Sequence, residues 1–258
     1  MTTEQSPPQD PDASAITNHG LIHHHMQRYD EALADYNRAI DLDPGYARAI
    51  AGRGQTYLTM ERFDVALADF TRAIELDPGS ATFVTSRGEA YRRMGRYGEA
   101  VADFTRAIDL DPGSAQAIAL RGDSYRRMQQ YGEAVADFTR AIELDPGYAW
   151  AIAKRGHAYR LMKRYDEALA DLNRAIDLDP GYAPAFTQRG TTYQALKRHD
   201  QALADLNRAI ELDPSDVFAI INRAYTYRAM KRYGKAMADV ARAVELDPNR
   251  VRAIMRAS

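Results

Sequence analysis

Leu42-Asp43-Pro44, Leu76-Asp77-Pro78 and Leu110-Asp111-Pro112 open a series that continues through Pro146, Pro180, Pro214 and Pro248. Each proline lies 34 residues beyond the one before, with no insertion. Tyr57, Tyr91, Tyr125, Tyr159, Tyr193 and Tyr227 keep the same step, as do Ala32, Ala66, Ala100, Ala134, Ala168, Ala202 and Ala236. A fixed period of this length marks a solenoid, whose units bury their apolar faces only against their neighbours. Seven units occupy residues 13–250, as 13–46, 47–80, 81–114, 115–148, 149–182, 183–216 and 217–250. Residues 1–12 precede them with the polar, Pro-rich composition of a disordered segment. Residues 251–258 repeat the start of a further unit and predict a partial capping helix.

Each unit reads as two helices. In the second, Ile50, Gly54, Tyr57 and Leu58 follow the spacing of one helical face. Glu61 to Asp64 breaks the pattern, and Asp64 is placed to cap the next helix. Ala66, Leu67, Phe70, Ala73, Ile74 and Leu76 continue a second apolar stripe. Asp77-Pro78-Gly79-Ser80 ends it, with Gly79 available for a left-handed turn and Ser80 for the following cap. No run alternates as a strand does, so the expected class is all-α, built of antiparallel helix pairs.

At these residues the chain resembles the tetratricopeptide repeat family over roughly residues 13–250. The period, the small residue of the first helix (Gly20, Gly54, Gly88, Gly122, Gly156 and Gly190, then Ala224), the following Tyr, the Ala of the second helix and the terminal Pro all fit. Arg53, Arg87, Arg121, Arg155, Arg189 and Arg223 stand where the general pattern has Leu, as in an Arg-Gly subtype of the family. The resemblance implies a right-handed superhelical α-solenoid whose first helices line a concave groove for peptides or protein segments. A two-Lys, two-Asn clamp for chaperone tails, known in the family, is not matched: Ala51, Ala119, Gln55 and Asp123 stand at slots that would carry it.

An arginine between helices needs a partner, and Asp35, Asp69, Asp103, Asp137, Asp171, Asp205 and Asp239 recur on the second helix. Each is followed three residues later by an Arg such as Arg72, which predicts an Arg–Asp–Arg ladder that belongs to the scaffold.

Specificity then lies where the units differ. Arg92, Arg126, Arg160 and Arg228 form a cationic stripe on the first helices, and Leu120, Trp150, Phe218, Ile221 and Tyr225 are apolar residues of the same wall. Guanidinium groups take carboxylates bidentately and aromatic anchors supply buried area, so the expected ligand is an acidic segment with an apolar anchor. Glu89, three residues before Arg92, and Asp123, three before Arg126, leave open a self-paired face instead. His157 completes the candidate peptide-binding residues. His19 and His23-His24-His25 make the first unit irregular; a cap with polar outer slots and an i, i+4 metal pair both suit them.

The rest of the composition excludes more than it assigns. There is no cysteine, hence no disulfide or thiolate site. Nothing approaches the roughly 18 apolar residues of a membrane span, and the first twelve residues lack the cations and apolar run of a secretory signal. The net charge of −2 opposes nucleic-acid binding. Arg supplies most of the cations, a bias compatible with a bacterial source. His157 and His199 are isolated, and no Gly-rich phosphate loop follows a strand. The expectation is a non-enzymatic, cytoplasmic interaction scaffold without a cofactor. Self-assembly into homo-oligomers through the ends of the array is the alternative, and an RNA-binding helical repeat a lesser one.

Overall fold

The computed structural model describes residues 12–257, with side chains through residue 254. Residues 1–11, which hold most of the segment read above as disordered, lie outside the described residues. The first helices of the repeats are α1 (Ala13–His25), α3 (Ala47–Thr59), α5 (Ala81–Arg93), α7 (Ala115–Arg127), α9 (Ala149–Leu161), α11 (Ala183–Ala195) and α13 (Val217–Ala229). The second helices are α2 (Tyr29–Leu42), α4 (Phe63–Leu76), α6 (Tyr97–Leu110), α8 (Tyr131–Leu144), α10 (Tyr165–Leu178), α12 (His199–Leu212) and α14 (Tyr233–Leu246). α15 (Pro248–Ala257) closes the described chain, which contains no strand.

The chain divides between Met128 and Gln129 into two compact units, α1–α7 and α8–α15. In the first, each helix packs on the next, and α1, α3, α5 and α7 also touch in sequence. In the second, α9, α11, α13 and α15 do the same. The second helices make no such contacts among themselves, so each unit carries a wall of first helices.

Turn chemistry sets the period. Two residues beyond the end of every first helix stands a residue with positive φ, at Gln27, Glu61, Gly95, Gln129, Lys163, Lys197 and Lys231. In repeat three the Gly95 amide donates to the Arg92 carbonyl and the Arg96 amide to the Tyr91 carbonyl, a Schellman closure. Gly95 alone of the seven is a glycine, so the others hold a left-handed conformation that costs a residue with a Cβ about 1 kcal/mol. The left-handed residue therefore sits inside each repeat and not at Gly79, which is used differently: its amide donates to Asp77 Oδ1 at 3.2 Å. The closure also fixes where α4 starts, so Asp64 falls in its first turn and the capping position goes to Arg62, which makes no side-chain cap. Ser80 does cap α5, accepting from the Phe83 amide. At the far end Asp247 accepts from the Arg250 amide at 2.9 Å, and the helix begins at Pro248, where earlier repeats still turn.

Packing repeats as well. A Cβ at Gly88 would lie 2.9 Å from Phe104 Cε1, and one at Gly54 would lie 3.1 Å from Phe70 Cε1, so the bare Cα is what lets the ring seat. Where the seventh repeat carries Ala224, the partner position holds the shorter Val240.

Arg53, Arg87, Arg155, Arg189 and Arg223 each fork onto both carboxylate oxygens of the aspartate on the following helix. The third nitrogen donates to the preceding second helix, at Asn37, Thr71, Thr139, Asn173 or Asn207. The hydrogen bond to the aspartate outweighs burial and raises the pKa of each of these arginines. The second arginine of the expected ladder is absent from it. Both oxygens of Asp69 are already taken by Arg53, and Arg72 instead donates to the Pro44 carbonyl of the repeat before; Arg106, Arg174 and Arg242 do likewise with Pro78, Pro146 and Pro214.

Removing one partner of a buried pair strands the other. With Asp103 9% and Arg87 18% exposed at the side chain, Asp103→Ala is expected to lower unfolding stability by about 3 kcal/mol. Denaturant melting checks it; a midpoint equal to wild type would show that the fork contributes nothing.

Candidate functional site

On the wall of the first unit, Arg92 grips Glu89 with Nε and Nη2 at 2.6 and 2.7 Å, and Nη1 reaches Asp123 Oδ2 at 3.0 Å. Arg126 takes the other oxygen of Asp123 with Nε and Nη2 at 3.0 and 2.7 Å. Burial disfavours the charge on Arg92, but the hydrogen bonds and charges of Glu89 and Asp123 more than restore it. Asp123 is 1% and Arg126 8% exposed. The two readings left open by the sequence resolve here into self-pairing: two guanidinium groups and two carboxylates form one neutral network across α5 and α7. Leu120 is buried beside it.

In the second unit the wall is different. Arg160 Nη2 lies 3.0 Å from His157 Nε2. Half-buried Trp150 stands edge-on to Phe138 at 6.3 Å, stacks on Tyr148 at 5.9 Å and carries Lys154 Nζ 5.2 Å from its ring. It thus bridges the wall and α8. Phe218 is half-buried. Ile221 is fully buried in the core with Ile220 and Ala243 and cannot meet a ligand, a correction to its expected place: it faces inward on α13. Arg228 is exposed, lies over the Tyr225 ring at 5.5 Å, and has no acidic partner among the described residues. Both line a cavity of about 430 Å³ whose other walls are Ala224, Tyr233, Ala236, Met237, Val240 and Ala241. Tyr233 is 60% and Met237 73% exposed.

Two residues of the first unit carry no obvious signal on a first reading. Arg48 is exposed and Tyr36 is 1% exposed, and both line a second cavity, of about 290 Å³. Burial pushes the Tyr36 phenol up to about 12, against the pull of the Arg48 charge.

The histidines of the first repeat divide their roles. His19, at the ladder arginine's position, is exposed. His23, at the tyrosine's position, brings Nδ1 to 3.3 Å from Asp35 Oδ2. His24 Nδ1 lies 3.0 Å from Thr56 Oγ1, and its ring sits 5.8 Å from His25 and 5.7 Å from Tyr29. Among the described residues no three His, Asp or Glu side chains are arranged to hold a metal, and no helix is long and apolar enough to cross a membrane.

Models of the tetratricopeptide repeat match residues 12–78, 52–115, 149–182, 183–216 and 219–250, and one described as TPR repeat matches 122–162. The chain belongs to the tetratricopeptide repeat family. No curated protein matches it significantly. Among solved structures it is similar to YrrB, described as a TPR protein with an unusual peptide-binding site, at 26% identity and TM-score 0.55, over 72% of this chain and 95% of that one. A tetratricopeptide repeat protein from Parabacteroides merdae shares the fold at 17% identity and TM-score 0.78, over 95% and 97%. A chain of the APC/C hetero-tetramer Cut9–Hcn1 does so at 20% identity and TM-score 0.76, over 83% of this chain; the match spans 43% of that chain's length.

Burial, and then the charge of His25, hold His24 below the ordinary 6.5. The unfolded chain therefore binds its proton first, so this group's contribution to stability is complete above about pH 6.5 and is lost as pH falls below it. His24→Asn, which keeps a hydrogen-bonding side chain beside Thr56, should flatten the fall in melting midpoint between about pH 6.5 and 5. An unaltered slope would remove His24 as its source.

Proposed function

We propose that the chain is a non-enzymatic scaffold that holds an acidic segment of a partner protein by an apolar anchor. Arg228 carries this reading: an exposed guanidinium, free of acidic partners among the described residues, stands over Tyr225 beside an apolar cavity large enough for a bulky side chain. The cation takes the carboxylate, and Tyr233, Met237 and Val240 take the anchor. The likeness to a protein described as having a peptide-binding site supports this use of the fold. Arg160, His157, Trp150 and Phe218 belong to the same unit and extend its recognition surface, whereas Arg92, Glu89, Asp123 and Arg126 serve as a neutral polar strip. The Arg-rich composition is what supports a bacterial source.

Peptide arrays of acidic segments with and without one Leu or Phe test the reading. Wild type should capture the anchored peptides, and Arg228→Glu and Met237→Asp should each weaken capture about tenfold or more. Arg92→Gln should leave it. Failure of wild type to retain any peptide, or indifference to both changes, would overturn it.

Self-association is a second reading, favoured by apolar residues open at the two terminal repeats. Ile22 on α1 and Met26 just after it are 54% and 59% exposed, and Met237 is 73% exposed on α14. A second copy would cover such faces. Sedimentation velocity from about 1 to 100 µM would then show a mass that rises with concentration and stays monomeric in Met237→Asp. One constant mass throughout rejects this reading.

A further inference from the structure

The cavity of about 290 Å³ in the first unit is framed by three successive first helices: Thr17, Asn18 and Leu21 on α1, Arg48, Ala51, Gly52 and Gln55 on α3, and Thr82, Phe83 and Ser86 on α5. Tyr36, from α2, is the one second-helix residue in its lining. Two departures from the repeat create it. Phe70, Phe104 and Phe138, or Leu172 and Leu206, fill Tyr36's position in other units, and Ser86, Leu120, Lys154, Gln188 and Asn222 fill that of Gly52. They depend on each other. A Cβ at residue 52 would lie 2.6 Å from Tyr36 Cε1, 2.8 Å from Cζ and 3.1 Å from the hydroxyl oxygen. The glycine is what admits the phenol, and the phenol brings a hydroxyl to a place where the other repeats end in hydrocarbon.

That hydroxyl has no hydrogen-bond partner among the described residues, although the side chain is 1% exposed. The hydroxyl keeps its access to the cavity, where it is available to donate to a group held there. The charge of the lining says which kind. Among the described residues Arg48 is its only ionisable cation, no Asp or Glu shares the lining, and no ion pair engages Arg48. Asp77 faces an adjacent cavity that shares Arg48, Thr82 and Phe83, and its Oδ1 accepts from the Gly79 amide. One guanidinium suits a singly charged carboxylate better than a phosphate dianion, and Leu21, Ala51 and Phe83 offer apolar wall beside it.

We propose that this cavity binds a peptide carboxylate. Arg48 is its ion-pair partner, the Tyr36 hydroxyl its hydrogen-bond donor, and Leu21 and Phe83 receive the apolar side chain next to it. The phenol, pushed up to about 12, keeps its proton and donates across the neutral range. The site rests on the reading of the chain as a binder of protein segments, and places a second point of attachment in the other unit from Arg228.

N-acetyl-L-leucine, a carboxylate with one apolar side chain, is the probe, and N-acetyl-L-leucinamide its uncharged control. NMR of the full chain should show the carboxylate shifting Leu21 methyl, Ala51, Gln55 and Ser86 signals, with the amide at least about tenfold weaker. Arg48→Gln should weaken binding about tenfold and Tyr36→Phe about threefold. Phenylalanine is native at this position in three other repeats, so Tyr36→Phe keeps the fold, which unchanged dispersion elsewhere verifies. Arg228→Gln should leave these shifts alone. Equal binding of acid and amide, variants that match wild type, or no local shift up to about 20 mM would overturn the site. If that happens while arrays still capture peptides through Arg228, only this cavity is lost; if arrays capture nothing, the general reading falls with it.

Discussion

The fork between a first-helix arginine and a second-helix aspartate is the interaction on which the rest of each unit depends. Arg87 places Nε and Nη2 on the two oxygens of Asp103 at 2.8 and 2.7 Å, and with Nη1 reaches Thr71 on the helix before. One side chain thus ties three helices, two within its repeat and one from the neighbour. Because guanidinium and carboxylate are planar and bidentate, the fork fixes orientation as well as distance, which an apolar contact does not. The Gly88–Phe104 contact lies beside it, so the close approach of the two helices and the fork impose the same spacing. Arg106, reaching back to the Pro78 carbonyl, adds a second tie between repeats on the exposed side.

A scaffold that spends most of its arginines on internal partners leaves few for a ligand. Arg92 and Arg126 look like a cationic stripe in one dimension, yet in three they close a ring of charges with Glu89 and Asp123. The criterion for a binding cation in this array is therefore freedom from an acid on its own or a neighbouring first helix. Arg48 and Arg228 meet it among the described residues. Each stands beside an opening with apolar wall, Leu21 and Phe83 for one and Tyr233 and Met237 for the other. The neutral network between them in sequence supplies rigidity and polarity without competing for an anion.

The helix pairs and the arginine–aspartate pairing are legible in the sequence because each is repeated, and repetition separates scaffold from accident. What the sequence hides are details that depend on which neighbour arrives first. Asp64 resembles a cap, but the left-handed turn at Glu61 starts the helix two residues earlier. Arg72 resembles a ladder member, but Arg53 already occupies both oxygens of Asp69. Ile221 resembles a wall residue, but its helical phase on α13 sends it into the core. In each case the residue type and spacing permit two partners, and only the three-dimensional competition between them decides.

Substitution in a repeat array carries most information when two departures coincide. A tyrosine in place of phenylalanine at residue 36 is a small change, and a glycine at residue 52 reads alone as a loss of side chain in a helix, unfavourable by about 1 kcal/mol against alanine. Taken together they describe one event, since the phenol occupies the volume that any Cβ at residue 52 would need. Stability does not explain the pair: the phenylalanine of the other repeats buries as well with Ser86, Leu120 or Lys154 at the position of Gly52, and the hydroxyl gained makes no hydrogen bond among the described residues. A feature that costs helix propensity, yet brings a hydroxyl to a lined cavity beside an arginine with no ion pair among the described residues, has the character of a binding site more than of a packing solution.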